Sequence, residues 1–324
     1  YSTDSGYSRA AWMWERGTPL EDARLLLEAE KEDMAVFVST AETTDGPLTV
    51  VARLPTIFEQ EIQFLEDGEL VPMDIPSDAQ MALVGDQLVL QLVSDWEVGG
   101  QTFNEGSVVS TNLDAERAGE RNVELVLQPD ERSTINGISA TKEYLLVTQL
   151  TEVQGKLYRY WREGDSWAYD AMETPPMGSV YPRGASVHHN RFFFTFDSFA
   201  QPTTLYLAEE DGSVREVRSL PHQFSADGLV TEQYHATSPD GTRVPYFVVR
   251  AEDAPMDGSN PTVINAYGGF NISYAPGYLG AQGKVWLEEG GVYVQANLRG
   301  GGEFGPSWWK AGLKENRQNV YDDF

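Results

Sequence analysis

Along the first 230 residues, apolar and polar positions alternate mostly with a period of two, the spacing of half-buried β-strands. Residues 8–14 form an apolar, aromatic stretch that predicts a strand end, and 18–22 turn into a short linking segment, 23–28. Strands are then expected at 35–39, 48–54, 61–65, 81–84, 88–93, 108–111 and 123–127, separated by Asp-Gly and Gly-Asp turn signals. Further on, strands are expected at 144–148, 156–161 and 167–171, and again at 192–196, 203–207 and 214–217. A polar connector spans 221–232, and a hairpin follows, 232–237 and 243–249, around Ser238-Pro239-Asp240-Gly241. Residues 251–261 are a loop rich in Pro, Asp, Gly and Ser.

Four segments within this region resemble one another: Met34-Ala-Val-Phe-Val-Ser, Gln87-Leu-Val-Leu-Gln-Leu, Glu143-Tyr-Leu-Leu-Val-Thr and Arg191-Phe-Phe-Phe-Thr-Phe. They start 53, 56 and 48 residues apart, the period of a β-propeller blade. Inner blade strands are covered on both faces and read as continuous apolar runs, as these do. The spacing predicts about four blades, the first residues falling mid-blade; a β-sandwich with coincidental spacing is the alternative.

The pattern changes at Thr262. An apolar run, 263–267, breaks on Gly268-Gly269; a helix-compatible segment, 278–289, follows; a second apolar run, 292–296, ends in Asn297-Leu298-Arg299 and three glycines. Strand, glycine turn, helix, strand, glycine turn is the rhythm of a parallel α/β sheet, whose ligands bind beyond the strand C-termini. On pattern alone, plain tight turns remain the alternative. Residues 307–324 predict a short turn, broken at Ala311-Gly312, and then a helix start.

Composition narrows the function classes. With 50 acidic against 23 basic residues, the net charge is −27, which disfavours nucleic acid and anionic membranes as partners. The charge fits either a salt-rich habitat or a generally acidic protein. There is no cysteine, so disulfide and thiolate chemistry are excluded while the compartment, cytoplasmic or periplasmic, stays open. No apolar run reaches 18 residues. The chain begins at Tyr1 without a signal-like segment and is expected to be a piece of a longer protein.

Tyr267-Gly268-Gly269-Phe270, then Asn297-x-Arg299-Gly300-Gly301-Gly302-Glu303-Phe304-Gly305, and the ending Lys314-Glu315-Asn316-Arg317-Gln318-Asn319-Val320-Tyr321-Asp322-Asp323-Phe324 together resemble the prolyl oligopeptidase family of serine peptidases. The resemblance implies a partial propeller over 1–226, about four blades of a seven-bladed ring, and the N-terminal part of an α/β-hydrolase domain over 227–324. It implies short peptides as substrates, cleavage after proline, no cofactor or metal, and a monomer at full length. Tyr267 matches the family's oxyanion tyrosine. A phenol O–H at the end of a sheet strand can donate to a developing negative charge, and removing one such donor costs about 3 kcal/mol. Gly268, Gly269 and Phe270 would shape that loop. Asn297, Arg299 and Glu303 would brace its neighbour through hydrogen bonds and an Arg–carboxylate pair. Asn265-Ala266 departs from the tyrosine and glycine common in the family, and Gly269-Phe270 leans toward the prolyl branch.

A serine peptidase needs a nucleophile elbow, a histidine base and an orienting carboxylate. The chain has no Gly-x-Ser-x-Gly, and its four histidines, His188, His189, His222 and His235, fall outside the α/β region's strand ends and are read as structural. The resemblance implies that nucleophile, acid and base lie beyond Phe324 and that this piece alone is inactive. Two other classes stay open: another superfamily member, such as a basic-specific oligopeptidase or an exopeptidase, and a non-catalytic binding or scaffold propeller.

Overall fold

The computed structural model describes residues 1–43 and 46–324. The chain divides into two compact units, Tyr1–Leu127 and Gln128–Phe324. In the first, β1 (Ala10–Met13) and β2 (Arg24–Glu28) form an antiparallel pair. Four strands then run up and down in sequence order: β3 (Ala35–Thr43), β4 (Gly46–Leu54), β5 (Glu61–Glu66) and β6 (Glu69–Pro72). The second sheet contains β7 (Gln80–Val84), β8 (Gln87–Gln91), β11 (Val108–Asn112) and β12 (Glu124–Leu127), with a small hairpin, β9 (Trp96–Val98) and β10 (Gln101–Phe103), between β8 and β11. The helix α1 (Leu113–Arg117) follows β11, capped by the Asn112 side chain, which accepts from the backbone N–H of Asp114 and Ala115. Leu48, Val50, Ile62 and Phe64 of the first sheet meet Leu83, Leu88, Leu90 and Val109 of the second in one core.

The second unit opens with two more four-stranded antiparallel sheets. One is β13 (Ser133–Ala140), β14 (Leu145–Thr151), β15 (Gln154–Glu163) and β16 (Ser166–Ala171); the other is β17 (Gly178–Arg183), β18 (Phe192–Ser198), β19 (Thr204–Ala208) and β20 (Val214–Ser219). These four sheets are the blades of a partial β-propeller, and the start of an α/β-hydrolase domain follows. Here β21 (Leu229–Thr237) and β22 (Arg243–Ala251) pair antiparallel, and β22 pairs antiparallel with β24 (Val292–Ala296). Beyond β24, β23 (Thr262–Ala266) lies parallel to it. The helical segments are short: a π-helical turn at Gly283–Leu287, α2 at Pro306–Lys310, and α3 at Arg317–Asp323 after a 3-10 turn.

Several expectations are corrected. Residues 23–28, read as a linker, contain the strand β2. The four similar segments do not occupy equivalent places. Gln87, Glu143 and Arg191 lead into the second strands of their sheets, whereas Met34 leads into β3, the first strand. An edge position leaves Phe37 and Val38 half exposed, while β8 is buried along four consecutive residues. In that blade the matching second strand is β4, where Val51 is fully buried. The strands β13 (Ser-Thr-Ile-Asn-Gly-Ile-Ser-Ala) and β17 (Gly-Ser-Val-Tyr-Pro-Arg) carry too many polar, Gly and Pro residues to signal by periodicity. The helix expected over 278–289 shrinks to little more than its central turn.

One turn joins a blade to the hydrolase core. Glu152 and Val153, between β14 and β15, both have left-handed φ, 48° and 63°. Val153 is fully buried in the cluster formed by Phe199, Phe224, Phe247, Phe304 and Trp308. The left-handed conformation costs about 1–2 kcal/mol for a side-chain-bearing residue, while burying a valine contributes about 1.5–3 kcal/mol, so burial prevails. Val153→Gly is expected to relieve the strain yet still lower stability by about 1 kcal/mol once the cavity is added, read from urea unfolding. A more stable glycine variant would show that the strain outweighs the burial.

Candidate active site

Because β23 and β24 are parallel and in register from Thr262↔Val292 to Ala266↔Ala296, their C-terminal ends emerge side by side. Tyr267-Gly268 and Asn297–Gly302 therefore leave the sheet as neighbouring turns. Gly268 and Gly300 both have left-handed φ, 59° and 88°. A Cβ at Gly268 would sit 2.9 Å from Leu298 Cβ and from Val320 Cγ1, and one at Gly300 would sit 2.8 Å from the Gly268 carbonyl oxygen. No side chain fits between these backbones. The Gly268 carbonyl also accepts from Arg317 Nη1 of α3 at 2.7 Å.

Tyr267 follows the last residue of β23, and the residue is 48% exposed. Among the described residues its hydroxyl makes no hydrogen bond, so it is free to donate outward. Phe270 and Asn271 are both left-handed, with φ of 55° and 56°, and Phe270 is exposed. The turn is closed by Ile272 N–H donating to the Gly269 carbonyl at 3.1 Å.

The bracing residues split into two buried groups. Arg299, 5% exposed, donates to Asp323 through Nε and Nη2 at 2.9 and 2.6 Å, and to Asp240 through Nη1. Asp323 also accepts from the Arg299 backbone N–H at 3.0 Å and from Ser238 Oγ at 2.8 Å. The Arg–carboxylate pair expected among the bracing residues does not join Arg299 to Glu303; the acids of Arg299 are Asp323 and Asp240. Hydrogen bonding to Asp323, its main partner, holds the guanidinium pKa above its ordinary value, and the same cation lowers Asp240 to about 2.

Glu303 is fully buried and, among the described residues, forms no ion pair; its Oε1 accepts from Tyr274 N–H at 2.9 Å and Asn297 Nδ2 at 3.2 Å. Burial pushes its carboxyl pKa up. Asn297 Nδ2 also donates to the Tyr274 carbonyl at 2.6 Å, as does Gln295 Nε2 at 2.7 Å.

Sequence reasoning missed several of these residues. Asn265 Nδ2 donates to the hydroxyls of Tyr274 and Tyr293, so the departure before Tyr267 supports the same loop. Gln295, 2% exposed in the middle of an apolar strand, carried a readable signal, a polar side chain where burial demands a partner. Asp240 and Asp323 carried none, because turn and helix-end aspartates are common on solvated surfaces. Of the histidines, His235 lies against Arg132 and Glu152, and His189 Nδ1 is 2.8 Å from the Arg191 carbonyl. Among the described residues no group of three or more His, Cys, Asp or Glu is placed to hold a metal.

The Asp240–Arg299 contact should be visible in acid. The Asp240 pKa lies below the ordinary carboxylate value of about 3.9, so its stabilising effect is present above that value and is lost as pH falls toward about 2. The gap in urea midpoint between wild type and Asp240→Asn is expected to be full at pH 6 and to shrink steadily below pH about 4. A gap independent of pH would remove the ion pair as its cause.

Comparison with known proteins agrees with this geometry. The family model "Prolyl oligopeptidase, N-terminal beta-propeller domain" matches residues 2–219, and "Prolyl oligopeptidase family" matches 279–324. An uncharacterised peptidase of Sinorhizobium fredii is 34% identical over 99% of this chain and 46% of its own length. A prolyl endopeptidase of Elizabethkingia miricola is 31% identical over 56% of this chain and 25% of its own. A solved post-proline cleaving enzyme from Rickettsia typhi superposes with a TM-score of 0.91 at 27% identity, covering 100% of this chain and 48% of that one. The chain thus spans about half the length of the relatives that match it end to end. Blades, mixed sheet, paired glycine turns and family matches agree: the chain belongs to the prolyl oligopeptidase family.

Proposed function

We propose that the whole protein is a serine peptidase that cleaves short peptides on the carboxyl side of proline through an acyl-enzyme, and that Tyr267 is half of its oxyanion hole. The observation that carries this reading is the unpaired, half-exposed Tyr267 hydroxyl at the C-terminal end of a parallel strand, on a turn locked to its neighbour by the Gly268–Gly300 contact. Active sites of α/β sheets lie beyond such strand ends.

In this reading the nucleophile, acid and base come from outside residues 1–324. The serine oxygen attacks the carbonyl carbon of the proline residue, and its proton passes to the base. The carbonyl oxygen takes up the electron pair and is met by the Tyr267 O–H. Collapse breaks the C–N bond and the leaving amine takes the proton; water then releases the acid. The Gly268–Gly300 contact holds the turn, so in this reading the phenol is aimed before charge develops, which is where an oxyanion donor gains its effect. Arg299, Asn297 and Glu303 hold the turn and touch no substrate.

The domain boundary falls at 226/227, with the propeller admitting only short peptides, and the full-length protein is a monomer. The 31% identity to a prolyl endopeptidase and the Gly269-Phe270 pair favour proline over a basic residue.

Two measurements on the full-length protein test this. A blocked Gly-Pro anilide should be cleaved and a blocked arginyl anilide should not; the reverse preference would sink the proline assignment. Tyr267→Phe should lower kcat about 10²–10³-fold with little change in KM, because the bond forms mainly in the transition state. Unchanged turnover would remove Tyr267 from the oxyanion hole.

A further inference from the structure

Between Tyr267 and the π-helical turn runs a strap, residues 268–279, without strand or helix. Its near half is held by the hydrolase sheet, through the Tyr274 backbone bonds to Glu303, Gln295 and Asn297. Its far half is held by the last blade. Ser179 Oγ of β17 donates to the Pro276 carbonyl at 2.6 Å, and Asp197 Oδ2 of β18 accepts from Tyr278 N–H at 3.2 Å. Leu279 N–H then donates to the Phe199 carbonyl at 3.1 Å.

Ser179 and Asp197 are directly paired across β17 and β18, so their side chains lie on one face and form a two-point clamp. Ser179 is 3% exposed. Burial pushes the Asp197 carboxyl pKa up, an unfavourable place for a carboxylate in a blade. Yet among the described residues the hydrogen bonds of both side chains go to the strap, while Arg183 of the same blade acts on Asp197 through its charge.

We propose that Ser179 and Asp197 are positioning residues for Tyr267, so that the last blade sets where the phenol points. This rests on the oxyanion reading of Tyr267. The strap carries the constraint in short steps: the clamp at Pro276–Tyr278, the pinned backbone of Tyr274, the Asn271 N–H donated to the Gly300 carbonyl at 3.3 Å, and the Gly269–Ile272 turn. Freeing the clamp lets the strap relax and moves the phenol away from its optimum.

The test is a mutant cycle on the full-length protein. Ser179→Ala with Asp197→Ala is expected to lower kcat about 10-fold, short of the roughly 10²-fold cost of a 1 Å misplacement, and to change KM less than about twofold. Asp197→Asn keeps an acceptor oxygen for Tyr278 N–H and should retain near wild-type kcat. In a Tyr267→Phe background, the Ser179→Ala, Asp197→Ala pair should change kcat less than about twofold, because no hydroxyl remains to be aimed. An undiminished loss in that background, or no loss with Tyr267 present, overturns the positioning role and leaves the oxyanion reading standing. Tyr267→Phe at full turnover overturns the oxyanion reading and this inference with it. Should Asp197→Ala fail to fold, Ser179→Ala alone, which removes one hydroxyl, carries the same comparison with an expected loss of about 3-fold, the square root of that for the pair if the two contribute equally.

Discussion

Outside the hydrogen-bonded pairing of a sheet, two turns can pack this closely only where no Cβ stands between them, and the contact between Gly268 and Gly300 is the constraint on which the rest of the site depends. Parallel pairing of β23 with β24 brings the two strand ends together, but a Cβ on either glycine would drive them apart. Once they touch, Arg317 can reach the Gly268 carbonyl, and the segment after Tyr267 is directed toward Glu303 and Asn297. Tyr267, at the start of this turn, is half exposed.

The polar side chains around this contact divide the labour by charge. Arg299 and Asp323 form a buried pair, with the more exposed Asp240 as a second acid. Removing one member of such a pair strands the other, at a cost of about 3–5 kcal/mol. Among the described residues Glu303 forms no ion pair, and its raised pKa favours the neutral form. The two groups therefore answer differently to acid, Asp240 through a lowered pKa and Glu303 through a raised one.

Much of this was legible in the residues. Turn chemistry and alternation located the hairpin at Ser238–Gly241, and the runs at 263–267 and 292–296 fell on β23 and β24. Tyr267, Asn297 and Arg299 stood out because their types sit at strand ends beside glycines, and Glu303 because it belongs to the motif that resembles the family's. Other features were hidden for physical reasons. The polar first strands β13 and β17 owe their state to their neighbours, which periodicity does not record. The acids that meet Arg299 come from a turn 59 residues before it and a helix 24 residues after it, so no local pattern pairs them. Met34 mimicked the second-strand motif because four apolar residues look alike whether they end in a core or at an edge.

The Val153 turn also bears on what counts as a part of this protein. Sequence families divide the chain between a propeller and a hydrolase, yet Val153 of one blade is buried among Phe247, Phe304 and Trp308 of the other architecture. Apolar contact is what makes neighbouring segments melt together, and a shared cluster leaves no dry seam along which to separate them. Residues 128–324 should accordingly behave as one cooperative block, in which loosening the blade and loosening the catalytic sheet are the same event.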